Sequence, residues 1–213
     1  MRELSVKIKA GLSILYNYAS DRFRQDMIDA RTEFDRLVPI PPVNDTEMHG
    51  RLVMFSHWFL MDRHVRACKT PANMFYEEGV LSFSYEEEEV YRALKAGSIG
   101  IYEVAGRHQN TAVDVATDER FGFIMEDEAA VQPNKDLMTM RFVRLREGVF
   151  LLASYCTHHY STKGFIRSEL GTVSRFDKMA FSAKVLELSA LSIKSRKYDW
   201  VAPMMIYKGM TKL

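Results

Sequence analysis

Apolar residues recur at three- and four-residue steps through residues 3 to 37, which is the spacing of one face of an α-helix. This pattern is formed by Leu4, Ile8, Leu12 or Gly11, Leu15, Ala19 and Phe23. Ser20 and Asp21 have the chemistry of a helix N-cap, so the segment is either one helix or two. The three prolines within residues 38–45 then predict an extended connection.

A third helical stretch is expected to begin after Asp45 or Thr46 and to run to His64. Between Leu52 and Met61 it is apolar on almost every side. A helix with this composition is typical of the interior of a protein, so we expect it to lie centrally in the packing.

Two shorter helices are marked by their first residues. Thr70 is a suitable N-cap and is followed by Pro71 in the first turn, and this helix should end near Gly79. Ser84 and Glu87 have the spacing of a capping box at the start of the next helix. The glutamates that follow lie at the positive end of that helix dipole, which gives the acidic run a structural explanation.

After Gly97 the pattern changes to alternation of apolar and polar residues, which is typical of β-strands. The five predicted strands are residues 98–105, 111–116, 121–125, 137–145 and 149–160. In the fourth strand Met138 and Met140 share one face, whereas Arg141 lies on the other. All connections but the third are short, so we expect an antiparallel meander that curls into a half-barrel or small barrel.

The last third of the chain returns to a helical pattern, with an apolar stripe over residues 177–197. This stripe is wide enough to pack on the sheet or on a second copy of the chain. Residues 200–210 are too apolar for a free tail, so they should dock either within the chain or onto a partner.

Together these patterns predict an α+β protein with N-terminal helices, a central antiparallel five-stranded sheet or small barrel, and C-terminal covering helices. The mainly helical region is 1–96, the β region is 97–162, and the C-terminal helices with the apolar tail occupy 163–213. We expect the three regions to form one compact unit.

The composition, 47% hydrophobic and 27% charged, is that of a globular protein. A formal net charge of +1 argues against coating of nucleic acid or an anionic membrane by the whole chain. The two cysteines do not form a disulfide framework, and no long apolar segment opens the sequence. A cytoplasmic protein without a membrane partner is the expectation.

The charge is distributed unevenly along the chain. Six glutamates and no basic residue lie between Glu77 and Glu89, whereas ten Lys and Arg residues face four acidic residues from Tyr160 to the end. The two regions could attract each other within the fold or in a dimer. Alternatively, the basic C-terminal third could bind an acidic partner or nucleic acid.

The segment YCTHHYST is the strongest candidate for chemistry. Along a strand Cys156 and His158 share a face and His159 points the opposite way, so the three cannot converge on one metal ion. A zinc site would need further donors such as His108 or Asp114. The end of an ordinary strand is favoured, and a metal-dependent or cysteine-based hydrolase stays open as an alternative.

The segment FSHWFLMDRH is the second candidate. His57 and His64 are seven residues apart, which places them on one helix face, and Asp62 with Arg63 should end the helix with a local ion pair or cap. The alternative is a polar cluster that lines a groove beside the sheet. The candidate binding residues from both segments and the sheet are His57, Arg63, His64, Arg141, Tyr155 and His159.

A loose motif connects these segments, and it consists of Phe55, Trp58, Phe59, Asp62, Arg63, Thr70, Pro71 and the stretch 97–104. It resembles a group of uncharacterised bacterial proteins in which an F-x-x-W-F-x-x-D-R helix precedes a small β-domain. The resemblance covers roughly residues 45–165. It implies this order of elements and a bacterial origin, and it implies no activity.

The sequence contains no phosphate loop, nucleotide fingerprint, zinc-ligand pair or nucleophile elbow. The expected function is therefore a non-enzymatic binding or regulatory module without a cofactor, which acts through protein–protein contacts or self-association. Nucleic-acid binding through the basic C-terminal third is the first alternative. Its candidate residues are Arg141, Arg144, Arg146, Tyr155, Tyr160, Lys194, Arg196 and Lys197.

Overall fold

The computed structural model describes residues 2–39, 44–105, 110–125 and 137–209. The helices are α1 (Arg2–Arg22), α2 (Arg24–Leu37), α3 (Asp45–Met61), α4 (Pro71–Gly79), α5 (Tyr85–Ala96), α6 (Lys163–Leu170), α7 (Lys178–Lys197) and α8 (Pro203–Tyr207). The strands are β1 (Ser98–Ala105), β2 (Thr111–Asp114), β3 (Arg120–Gly122), β4 (Leu137–Leu145) and β5 (Gly148–His158). The middle of the proline-rich connection (40–43), His108 and the tail from residue 210 lie outside the described residues.

The N-terminal segment is two helices that meet at Phe23. Phe23 leaves the helical conformation at φ −125° and ψ 37°, and its side chain is buried in the core. The predicted caps are not used, since Ser20 Oγ donates to the Tyr16 carbonyl inside α1. The bend is therefore stabilised by burial of the Phe23 ring and not by a polar N-cap.

The starts of the next helices follow their capping residues. Asn44 caps α3 by accepting a hydrogen bond from the Glu47 amide at 2.9 Å. Thr70 caps α4, with Pro71 in the first turn. Both hydrogen bonds of the Ser84 capping box are present at the start of α5. The predicted caps of α4 and α5 are thus confirmed, whereas α3 begins at Asp45 and is capped by Asn44, which is earlier than the predicted start after Asp45 or Thr46.

All strand pairs are antiparallel, and the order across the sheet is β3-β2-β1-β4-β5. The predicted meander is wrong in this respect, because β4 pairs with β1 and not with β3. The reason is the long third connection, which leaves β4 free to reach the far side of β1. A short turn requires the two strands that it joins to pair with each other, but a long connection does not.

The two edges of the sheet meet beyond β3. Ile124 forms an isolated parallel bridge with Phe150 of β5, in which the Ile124 amide donates to the Val149 carbonyl at 2.7 Å. The sheet thus curls into a small barrel, as predicted. The buried residues that fill its interior are Tyr102, Val104, Ala112, Phe123, Met138, Met140 and Phe142.

Helices from both ends of the chain cover the outside of the barrel. Ile99 and Ile101 of β1 pack with α6, α7 and Tyr207 of α8, and Val143 of β4 packs with α1 and α5. In a separate cluster, buried apolar residues of α1, α2, α3 and α4 pack against Leu186 of α7. The tail therefore docks within the chain as far as it is described.

Within the described residues no helix has the length and apolar character needed to cross a bilayer.

Candidate functional site

A buried ion pair joins the end of α3 to the outer face of the barrel. Arg141 Nη1 donates to Asp62 Oδ1 at 3.2 Å, and Nη2 contacts Asp62 Oδ2, so the pair is bidentate. Asp62 does end the helix, as predicted, and its amide donates to the Trp58 carbonyl. Of the two predicted arrangements, the structure shows the helix cap and not the local ion pair with Arg63, because the Asp62 carboxylate pairs with Arg141 of β4.

The charge of this pair is held in a low-dielectric environment. Burial opposes the charged form of Arg141, but Asp62 and the Tyr155 hydroxyl outweigh that effect, and the pKa of Arg141 is raised above its ordinary value. Both side chains of the pair are almost completely shielded from solvent. Loss of either partner of such a pair would leave an uncompensated buried charge.

Tyr155 extends this network to His57 of α3. The Tyr155 hydroxyl lies 2.8 Å from His57 Nδ1, and the positive charge of Arg141 acts on the same hydroxyl. Burial, with the charge of Arg141 as the second cause, lowers the pKa of His57 to about 3. Burial raises the pKa of Tyr155 to about 12, against the effect of Arg141. Both groups are therefore neutral at physiological pH.

His57 reaches the surface through a pocket between α1 and α3. The pocket has a volume of about 290 Å³ and is lined by Leu12, Ser13, Tyr16, Asn17, Ser56, His57 and Leu60. Some of these residues are apolar, and the others are polar but carry no formal charge. A line of contacts thus runs from the pocket through His57 and Tyr155 to the Asp62–Arg141 pair.

A second buried polar cluster surrounds His158. Thr139 Oγ1 lies 2.7 Å from His158 Nε2 and 2.9 Å from Ser189 Oγ, and Tyr207 Oη lies 2.7 Å from His158 Nδ1. Burial and then Arg196 lower the pKa of His158 to about 3. This cluster joins β4, β5, α7 and α8, so its hydrogen bonds hold the C-terminal tail on the barrel.

Of the three reactive-looking residues of YCTHHYST, the structure brings Cys156 and His158 together and places His159 apart, as predicted for alternating residues of a strand. Cys156 Sγ lies 3.8 Å from His158 Nε2, and both are buried. His159 is exposed, and its Nδ1 accepts a hydrogen bond from the Ser161 amide at 3.2 Å. Burial raises the pKa of the Cys156 thiol, which opposes formation of a nucleophilic thiolate.

The other candidates also have structural partners. Arg63 Nε donates to Glu33 Oε2 of α2 at 2.8 Å. His64 lies beyond the end of α3, so the predicted shared helix face with His57 is wrong. Asp114 pairs with Arg175 and accepts a hydrogen bond from the Ala116 amide. In the part of the chain that the structure describes, His, Cys, Asp and Glu form no group of three that could hold a metal ion.

No protein-family model, curated protein or solved structure matches this chain. The resemblance to a bacterial group with a helix followed by a small β-domain therefore stays a prediction. The functional argument depends on the geometry of the chain itself.

Sequence reasoning missed the partners that complete these clusters. Arg141 was found as a binding candidate, but not its pairing with Asp62, which is 79 residues away. Ser189 and Tyr207 were treated as parts of an apolar helix and tail. One signal was available, because Thr139 and Arg141 are polar residues on one face of a strand whose other residues, apart from Arg144, are apolar. Such residues need buried partners, although their identity requires the tertiary structure.

Proposed function

We propose that the protein is a non-enzymatic cytoplasmic binding module that acts through protein–protein contacts at its C-terminal end. The observation that carries this proposal is an exposed aromatic and apolar set beside α8. Trp200 is 73% exposed, and Tyr160 and Met205 are exposed as well. With the exposed basic residues Arg196 and Lys197, these three form what we term the C-terminal surface.

Trp200 is the centre of this argument. The chain has two tryptophans, and Trp58 is fully buried in the helical core. Trp200 instead packs edge-to-face against Tyr198, with the ring centroids 5.3 Å apart, and is mostly exposed to solvent. Exposed tryptophan is enriched among the residues that dominate binding energy at protein interfaces.

The charge around Trp200 indicates the chemistry of the partner. The last turn of α7 carries Lys194, Arg196 and Lys197, and Lys208 follows α8. Asp199 is the acidic residue in this part of the chain. A partner with an apolar centre and an acidic rim would be complementary to such a surface.

The buried clusters support binding over catalysis. His158, Cys156 and the Asp62–Arg141 pair are all shielded from solvent and use their polar atoms inside the fold. A catalytic group must reach its substrate, at least through one water molecule. The polar side chains that resemble an active site are placed to join helices to the barrel.

Site-specific photo-cross-linking in living cells tests this proposal. A photoreactive phenylalanine replaces Trp200, and the control carries it at Phe176, which is an aromatic residue that is fully exposed and therefore at least as accessible to a partner. We expect a discrete protein adduct from position 200, weakened by Lys197→Glu, and none from position 176. An adduct of twice the chain mass would identify self-association.

Two outcomes would contradict the proposal. Aromatic and basic residues also bind single-stranded nucleic acid, and an adduct that disappears on nuclease treatment would favour that alternative. Equal yields at Trp200 and Phe176, or no adduct at either position, would show that the C-terminal surface has no specific protein partner.

A further inference from the structure

The pocket between α1 and α3 is lined by His57, whose two ring nitrogens differ in their contacts with the described residues. His57 is 9% exposed, and its Nδ1 is occupied by the Tyr155 hydroxyl. Its second nitrogen, Nε2, has no partner among the described residues. The buried unpaired polar side-chain atoms in those residues are Tyr18 Oη, Trp58 Nε1 and Arg141 Nε. Since Nε2 is not one of them, it keeps access to solvent, and the pocket is the open space that His57 lines.

The hydrogen bonds behind His57 determine which nitrogen carries its proton. The positive charge of Arg141 acts on the Tyr155 hydroxyl, so the electron-rich phenolic oxygen is oriented toward the guanidinium. The phenolic proton then needs its own acceptor, and His57 Nδ1 is at 2.8 Å. Because His57 is neutral, its single proton must lie on Nε2. The pocket is therefore provided with one N–H donor from a nearly buried ring.

The other residues that line the pocket indicate which kind of ligand could accept this hydrogen bond. Leu12 and Leu60 supply apolar contacts, and the polar lining residues are uncharged. A charged ligand would find no counter-ion in this lining and would lose hydration. The volume of about 290 Å³ is near the lower end of the range of small-molecule sites.

From these observations we infer that the α1–α3 pocket binds a small neutral molecule that carries a carbonyl-type acceptor on an apolar body. The acceptor receives a hydrogen bond from His57 Nε2, and the apolar body lies between Leu12 and Leu60. Tyr155 and Arg141 are positioning residues, because they fix the tautomer of His57 without contacting the ligand.

This inference is independent of the proposed protein-binding function. The pocket lies between α1 and α3, whereas the C-terminal surface is formed around α8 and the 3₁₀ helix Tyr160–Thr162. Either site can fail its own test without affecting the other.

A titration of the full chain with acetophenone, followed by NMR, tests the inference. We expect saturable shifts at the pocket residues with a Kd on the order of 1 mM, as for a very small ligand. Ethylbenzene, which lacks the carbonyl, should bind about fivefold more weakly. Benzoate, which adds a negative charge, should not bind measurably.

Two variants on α1 locate the binding. Ser13→Trp places a large ring at the exposed edge of the pocket and should abolish the shifts. Ile14→Trp is the matched control, since Ile14 is exposed on the same helix but does not line the pocket, and it should bind as the wild type does. Equal loss in both variants would contradict the assignment of the pocket.

A readout without ligand tests the donor directly. The ¹⁵N chemical shifts of His57 should show the tautomer protonated at Nε2, and Tyr155→Phe should allow the other tautomer to be populated. The inference is overturned if His57 is protonated at Nδ1, if acetophenone gives no saturable shifts, or if ethylbenzene binds as tightly as acetophenone.

Discussion

Arg141, in the middle of β4, and Asp62, at the end of α3, form a bidentate ion pair that is buried on both sides. It fastens the helical N-terminal region to the barrel. The same guanidinium acts on Tyr155 and donates to the Gly97 carbonyl at 3.5 Å. Arg141 therefore connects α3, the start of β1 and β5, and its integrity should matter for the whole fold.

Replacement of Asp62 by asparagine should destabilise the protein by about 3–5 kcal/mol, because the Arg141 charge would remain buried without its carboxylate. Chemical denaturation measures this change in the free energy of unfolding. The control is Glu33→Gln, which removes the partly exposed partner of Arg63 and should cost less than about 1 kcal/mol. A cost of the same size for both variants would contradict the role assigned to Asp62.

Acid should destabilise the protein through its two buried histidines. The pKa values of His57 and His158 fall from 6.5 to about 3 on folding, so the unfolded chain binds these protons first. Their stabilisation is complete above pH 6.5 and is lost as the pH falls toward 3. Each histidine should contribute about 1.4 kcal/mol per pH unit in this window.

The free energy of unfolding measured from pH 7 to pH 4 checks this slope. In His158→Gln the slope should be shallower than in the wild type by the contribution of one histidine. The difference isolates His158 from the carboxylates, which titrate in both proteins. Identical slopes would show that His158 does not titrate differently in the two states.

Loss of the Tyr207 hydroxyl should loosen the C-terminal tail. Tyr207→Phe leaves His158 Nδ1 without its partner, and an unsatisfied buried polar group costs about 1–3 kcal/mol. Tyr160→Phe removes an exposed hydroxyl and should change stability by less than about 0.5 kcal/mol. Thermal unfolding of both variants measures the difference. Equal effects would argue against docking of α8 through Tyr207.

The two thiols should differ sharply in reactivity. Cys68 is exposed, whereas Cys156 is buried and the pKa of its thiol is raised by that burial. A thiol reagent should modify one cysteine in the native protein and both in denaturant. Cys68→Ser should leave no rapidly reacting thiol. Fast modification of Cys156 in that native variant would reopen the possibility of cysteine-based chemistry.

The local parts of the fold could be predicted from the sequence. Ser84 and Glu87 make a capping box over three residues, so the signal and the structure are equally local. Alternation placed Met138 and Met140 on one face of β4 and Arg141 on the other, and the structure confirms this division, with the methionines inside the barrel. Such predictions succeed because they depend on periodicity and on hydrogen bonds between near neighbours.

The non-local relationships could not be predicted. The pairing of β4 with β1 follows a long connection whose sequence does not specify where the next strand docks. Nothing in the sequence distinguishes Asp62 from other carboxylates as the partner of Arg141. The pocket at His57 exists only because α1 lies beside α3. Each of these depends on how elements pack, and not on their own composition.

The affinity of the partner captured at position 200 tests the central claim most directly. Isothermal titration calorimetry compares the wild type with Trp200→Ala and with the control Phe176→Ala. The account predicts that Trp200→Ala weakens binding by about 30-fold or more, the scale of an interface hot spot, while Phe176→Ala leaves the Kd unchanged. An unchanged Kd for Trp200→Ala would contradict binding through the C-terminal surface.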